Sequence, residues 1–140
     1  MEAQLAKKIV EKNLKYDEAK RLLVKLVQFP SPQTELLESE PQVLALIRDV
    51  IKPELDRVGL QPRIDAKGNL IVHVKGRRQA ERLMLVGYAM NAAPSTMQNP
   101  YSGEIVDGTP YKANGECVWG RGACEQKGSL AAMQIGRAHV

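Results

Sequence analysis

The first apolar positions along the chain repeat at helical spacing. Leu22, Leu23, Leu26 and Val27 recur at i, i+3 and i+4, and Leu5, Ile9, Val10 and Leu14 make a thinner stripe before them. The pattern predicts helix over residues 3–28, with a break near residues 13–17. Asp17 and Glu18 suit the start of the second piece, because carboxylates favour the positive end of a helix. Pro30 and Pro32 end it, since proline lacks an N–H and restricts the residue before it. A second stripe, made by Val43, Leu44, Ile47, Val50, Ile51, Leu55 and Val58, predicts helix over residues 38–58. Pro53 should kink that helix, and Gly59 should stop it.

After Gly59 the period changes. Residues 61–65 and 70–75 alternate as strands about a Lys67-Gly68-Asn69 turn. His73 has the opposite parity from Leu70, Val72 and Val74, so it reads as a surface histidine. Residues 77–81 form a polar linker. Residues 83–86, Leu-Met-Leu-Val, are apolar throughout, as in a buried parallel strand. Residues 91–114 read as one long loop rich in Pro, Ser, Asn and Gly, and residues 116–119 as a short strand. A helix begins after Gly128 with Ser129, Leu130, Ala131, Ala132 and Met133, and is expected to stop soon afterwards.

Two stretches carry candidate chemistry. In open α/β sheets ligands bind at the carboxyl ends of strands, which singles out Gly87-Tyr88-Ala89-Met90 after residues 83–86. The other is GRGACEQKG, with Gly120, Gly122 and Gly128 within nine residues. Glycine permits positive φ and close backbone approach, so this is a specially shaped turn between a strand and a helix. Glu125 and Lys127 are the carboxylate and the amine on it.

This turn resembles the GRGA-x-D-x-KG turn of a family of zinc-dependent amidohydrolases. The family comprises aminoacylases, acetylornithine deacetylases, succinyl-diaminopimelate desuccinylases and dipeptidases. Upstream, RLMLVGYAMNAAP resembles the family's strand ending in GHxDxxP, and PYSGEIVDG resembles its PF-x-G-x-I-x-DG segment. FPSP and KGNLIVHV resemble the exit of its first helix and the hairpin that follows. The matches keep the family's order from about Tyr16 to Gln134.

The resemblance implies an α/β fold, the N-terminal part of a three-layer zinc-exopeptidase-like catalytic domain, truncated, over residues 1–134. The sheet would then be unfinished. The last six residues, IGRAHV (135–140), match the translation of a common sequencing-library adapter. They are expected to be a non-native tail that packs against nothing specific. The resemblance also sets Tyr88 at the position of the first metal-ligand histidine and Met90 at the aspartate that orients it. Glu125 falls at the bridging carboxylate. Gly120, Arg121, Gly122, Lys127 and Gly128 match the family turn and are expected to shape it.

A tyrosine hydroxyl, with an ordinary pKa near 10, is a poor zinc ligand, and a thioether cannot orient an imidazole. The general base and remaining ligands have no counterpart here. Residues 1–140 alone are therefore expected to be inactive and to hold no tight zinc ion. Three readings stay open: part of an amidohydrolase with an altered metal site, part of a family member that lost catalysis and binds or regulates, and a small α/β binding module. In the first, the full-length enzyme hydrolyses an amide bond in an N-acyl amino acid, peptide or ureido acid, with divalent zinc as cofactor. The family also implies a possible homodimer.

Composition narrows the partners. A net charge of +4 is spread among lysines, arginines and acids along the helices, with no basic stripe, so nucleic acid is not expected. No apolar run approaches a membrane span, and the charged start MEAQLAKKIVEK is unlike a signal peptide. A cytoplasmic protein with Cys117 and Cys124 as free thiols is the expectation.

Overall fold

Helix α1 (Tyr16–Gln28) opens with Asp17 and Glu18 in its first turn and buries Leu22, Leu26 and Val27. In the computed structural model, residues 15–76, 80 and 82–137 are described, together with residues 4, 5 and 8. The break expected near residues 13–17 coincides with the start of α1. Leu5 is exposed, and the rest of the thinner stripe, Ile9, Val10 and Leu14, lies outside the described residues. At the other end Phe29 is extended, with φ −95 and ψ 113, the conformation that the following Pro30 imposes.

The second helical stretch is not one helix. Glu40 accepts a hydrogen bond from the Gln42 N–H to cap α2 (Pro41–Leu46), and Pro41 occupies its first turn. A π-turn over Ile47–Ile51 follows, and then α3 (Lys52–Arg57). Pro53 explains the interruption: it has no N–H, and its ring crowds the carbonyl four residues back, so the wider turn falls where that carbonyl lies. The buried face differs from the expected stripe for the same reason. Leu46 is fully buried beside Val43, while Ile51 and Leu55 carry the face after the turn. A single 3.6-residue period drawn through both halves selects Leu44 and misses Leu46.

The sheets are two antiparallel ribbons. β1 (Arg63–Ile64) pairs with β2 (Leu70–Ile71), Arg63 opposite Ile71 and Ile64 opposite Leu70. The hairpin is real but shorter than expected, because Pro62 can donate nothing to the ladder. The Asp65 carboxylate accepts from the backbone N–H groups of Lys67 and Asn69 and from the Asn69 amide, which fixes the turn. His73 is exposed, as expected.

β3 (Ile105–Asp107) pairs with β4 (Glu116–Val118). β4 was expected. β3 lies within the stretch read as loop, and its signal was the β-branched pair Ile105-Val106 before Asp107-Gly108.

Helix α4 (Gln126–Arg137) closes the described chain. Leu22, Leu26, Leu46, Ile51, Leu55, Ala131 and Ile135 form the core, so α1 is packed between the second helical stretch and α4. Ile135 is 5% exposed and Gln134 is buried beside it. The expectation that packing ends at residue 134 is therefore corrected: α4 keeps its apolar phase through Ala131 and Ile135, four residues apart. The remainder of the expected tail, residues 138–140, lies outside the described residues.

A larger correction concerns residues 83–86. They run outside both ribbons and are exposed, where a buried parallel strand was expected. An all-apolar run reports affinity for a core, but a parallel strand also needs neighbours on its edges, and no described strand lies beside this one. The only parallel pairing among the described residues is a single bridge between Pro32 and Asn91. The described residues thus mix helices with two small antiparallel ribbons, an arrangement compatible with a small α/β fragment.

Candidate functional site

Three segments far apart in sequence meet at one buried polar node. The exit of α1 supplies Phe29 and Ser31, the segment after residues 83–86 supplies Ala89, Asn91 and Ala92, and the glycine-rich turn before α4 supplies Arg121, Gly122 and Lys127. Ser31, Asn91 and Lys127 are all within 2% of complete burial. Buried polar groups are retained only where they are bonded, and these are. The Asn91 N–H donates to the Ser31 carbonyl at 2.9 Å, and the Gln33 N–H donates to the Asn91 carbonyl at 2.8 Å. The Ser31 hydroxyl donates to the Ala89 carbonyl at 2.8 Å and lies 3.1 Å from Asn91 Oδ1. Asn91 Nδ2 and Arg121 Nε both donate to the Ala92 carbonyl, at 2.8 and 3.0 Å.

Lys127 is the anchor of the turn. It stands in the first turn of α4, and its ammonium donates to the Phe29 carbonyl at 2.7 Å, 98 residues away in sequence. That carbonyl belongs to the residue capping α1, so the charge sits at the electronegative end of that helix. Nζ also lies 5.8 Å from the centre of the Tyr101 ring. Among the described residues no carboxylate bonds Lys127, and burial pushes its pKa down to about 8. The Tyr101 hydroxyl is buried, and no group among the described residues bonds it.

The glycines of the turn are closely packed. Gly122 has φ +85, and a Cβ there would lie 3.0 Å from the Asn91 side chain and 3.2 Å from Lys127. Gly120 has φ +151, and a Cβ there would run into Val27 of α1. A Cβ at Gly128 would run into the Ala123 carbonyl oxygen. The Lys127 and Glu125 N–H groups both donate to the Gly122 carbonyl, which closes the turn into α4. Arg121 adds a backbone bond to the Pro100 carbonyl, 2.6 Å.

The three metal positions fall on two of these segments, Tyr88 and Met90 after residues 83–86 and Glu125 on the glycine-rich turn. Gly87 lies against Leu130 and Met133, and Gly122 against Asn91, so the Gly87–Asn91 stretch follows the turn and the start of α4. Tyr88 is nonetheless exposed, Met90 is half-buried and Glu125 is exposed. Among the described residues no three His, Cys, Asp or Glu side chains converge on a point that could hold a metal ion. The donor set is a phenol, a thioether and one carboxylate. It does not fit zinc, which takes imidazole, thiolate and carboxylate groups.

A second ionic centre was not singled out from sequence. Glu54 on α3 is only 9% exposed and accepts from Nη1 and Nη2 of Arg21, at 3.0 and 2.8 Å. Lys25 Nζ at 2.6 Å and Arg57 Nε at 3.2 Å complete its surroundings. Arg21, with desolvation opposing it and Lys25 and Arg57 adding to it, holds the Glu54 carboxyl well below the usual carboxylate range. The available signal was an acid beside Leu55 on the buried face, with Arg21 and Lys25 one helical turn apart on α1. A cavity of about 330 Å³ opens beside it, lined by Lys25, Gln28, Phe29, Asp49, Val50, Pro53 and Glu54.

Among the described residues no helix is long and apolar enough to cross a membrane. Cys117 and Cys124 are free thiols. Compared with family models, with curated proteins and with solved structures, the chain matches none.

Proposed function

We propose that this chain supplies the first part of the scaffold of an amidohydrolase of the aminoacylase–dipeptidase type, whose full-length form cleaves an amide bond in an N-acyl amino acid, a peptide or a ureido acid. One observation carries the proposal: the residues that match the family turn are the ones bonded most deeply into the node. Lys127 and Arg121 tie the turn to the ends of two other segments, and Gly120 and Gly122 sit where a side chain would collide. Against it stand the unpaired residues 83–86, which in the family pattern would lie inside the sheet. The chain by itself contributes a shaped turn and one carboxylate, Glu125, rather than a working centre.

A second reading, a relative that binds without catalysis, is favoured by a specific observation. All three metal positions carry side chains altered from the family pattern, and Tyr88 and Glu125 are exposed. Titration of the chain with zinc, alongside assays on N-acyl amino acids, dipeptides and ureido acids, tests both. The expected outcome is neither tight zinc binding nor hydrolysis by residues 1–140. Sub-micromolar zinc binding lost in Glu125→Ala would overturn it. In the full-length protein, Tyr88→His with Met90→Asp should raise zinc affinity on the first reading. On the second it should only lower stability, by placing a charge without a partner.

A further inference from the structure

The connection between β3 and β4 ends in an Asn114-Gly115 pair. Both residues are exposed and lie in a bend, and Gly115 has φ +78. In such a pair the glycine nitrogen can attack the asparagine side-chain amide, because no Cβ shields that nitrogen or limits its rotation. The attack also needs an N–H free of hydrogen bonds and an amide free to turn. Both conditions hold here. Among the described residues nothing accepts from the Gly115 N–H, and nothing bonds the Asn114 side chain. The space beside Gly115 is open, since a Cβ there would meet no atom within 4 Å. The other asparagines of the described residues lack one condition or more. Asn69 has its amide on the Asp65 carboxylate, and Asn91 is buried with its amide on the Ala92 carbonyl. Asn99 precedes Pro100, which has no N–H. Asp107 also precedes a glycine, but its carboxylate accepts from Thr109, and the Gly108 N–H is spent on the Gly115 carbonyl.

We propose that Asn114 is a site of spontaneous covalent modification, deamidated through a cyclic imide formed with Gly115. The Gly115 nitrogen gives its proton to water or hydroxide and attacks Asn114 Cγ. A bond forms between them, the Cγ–Nδ2 bond breaks, and Nδ2 takes up a proton and leaves as ammonia. Water then opens the imide at one carbonyl or the other, giving aspartate or isoaspartate. Solvent water is the sole co-reactant. Either product lowers the net charge of +4 by one. Isoaspartate also lengthens the main chain by one carbon beside Gly115, whose carbonyl accepts from the Gly108 N–H at 2.8 Å. The next residue, Glu116, pairs with Asp107 and bonds Lys20 of α1 at 3.0 Å. The modification therefore strikes the end of the ribbon that is tied to α1. It rests on no reading of the chain's activity.

Timed incubation of the 140-residue chain at neutral and mildly alkaline pH, followed by tryptic digestion and mass spectrometry, is the test. A sample digested at the start gives the baseline. Cleavage after Lys112 and Arg121 releases residues 113–121, in which Asn114 is the sole side-chain amide. That peptide should gain about 1 Da with time and separate into two products. The gain should be faster at the higher pH, because the attacking nitrogen must lose its proton. Residues 68–75, which carry Asn69, serve as the internal control and should stay unchanged over the same period. Gly115→Ala should slow the conversion on the order of tenfold or more, because a Cβ then shields the nitrogen. Asn114→Gln alters an exposed side chain, so it should melt like the parent, and it should slow the conversion comparably because a larger ring must close. Retention of the Asn114 amide throughout overturns the proposal. So does conversion of residues 68–75 at the same rate, a rate indifferent to pH, or a rate unchanged in both variants.

Discussion

Lys127 holds its ammonium against the Phe29 carbonyl and the Tyr101 ring, with no carboxylate among the described residues to balance it. Its pKa falls from 10.5 to about 8 on folding because of burial. The unfolded chain therefore binds more protons than the folded one between those values, and stability rises with pH across that window. Below pH 8 the buried charge is a cost, and near pH 10.5 the cost has been relieved, by about 3 kcal/mol at most. Denaturant unfolding at intervals from pH 8 to 10.5 should show this upward slope, and Lys127→Met should flatten it. An unchanged slope in the variant would assign the titration elsewhere. The sequence marked Lys127, Gly120 and Gly122 as turn residues because their spacing is local. It could not mark Lys127 as an anchor, since its partner is a backbone carbonyl 98 residues away.

Among the elements, the second helical stretch shows how one residue type redirects a pattern. Pro53 announced a kink, but not that it would be absorbed by a π-turn at Ile47–Ile51, which shifts the buried face onto Leu46. Past that turn the face includes Glu54, whose bonds to Arg21 and Lys25 tie α3 to α1. A carboxyl whose pKa is depressed on folding contributes stability in full above its unfolded value, 4.5. That contribution is lost as pH falls through the folded value. Glu54→Gln should cost about 2 kcal/mol at pH 7, the range for hydrogen bonds to charged groups. The difference from the parent protein should shrink in acid. Chemical denaturation at pH 7 and at pH 3 checks both. The hairpin β1–β2 was legible from its turn, whereas β3 was hidden because Ile105 and Val106 are too short a run to show a period.

At the scale of the whole molecule, helices were easier to read than sheets. A helix satisfies its own backbone, so local spacing of Leu22, Leu26 and Val27 is enough to announce it. A strand borrows its partners, and residues 83–86 show that an apolar run alone does not supply them. Ile135 tests where the packed structure ends. Because it sits in the core with Leu22, Leu26 and Ala131, Ile135→Ala should cost about 2–4 kcal/mol in thermal or urea unfolding. A loss under about 0.5 kcal/mol, the range of a featureless surface change, would return residue 135 to the expected tail.

The node between α1, Asn91 and the glycine-rich turn also bears on the order in which the chain can assemble. Closing a 98-residue loop to bring Lys127 to Phe29 costs about 4 kcal/mol of chain entropy beyond the constant for any closure. Contacts between α1 and the stretch that ends at Arg57 span far shorter loops and can form first. On a ribosome, residues 16–57 would emerge with the Phe29 carbonyl still awaiting its cation. The node would be completed only once residue 127 had cleared the exit. The first helix is thus laid down early, and its end is sealed last.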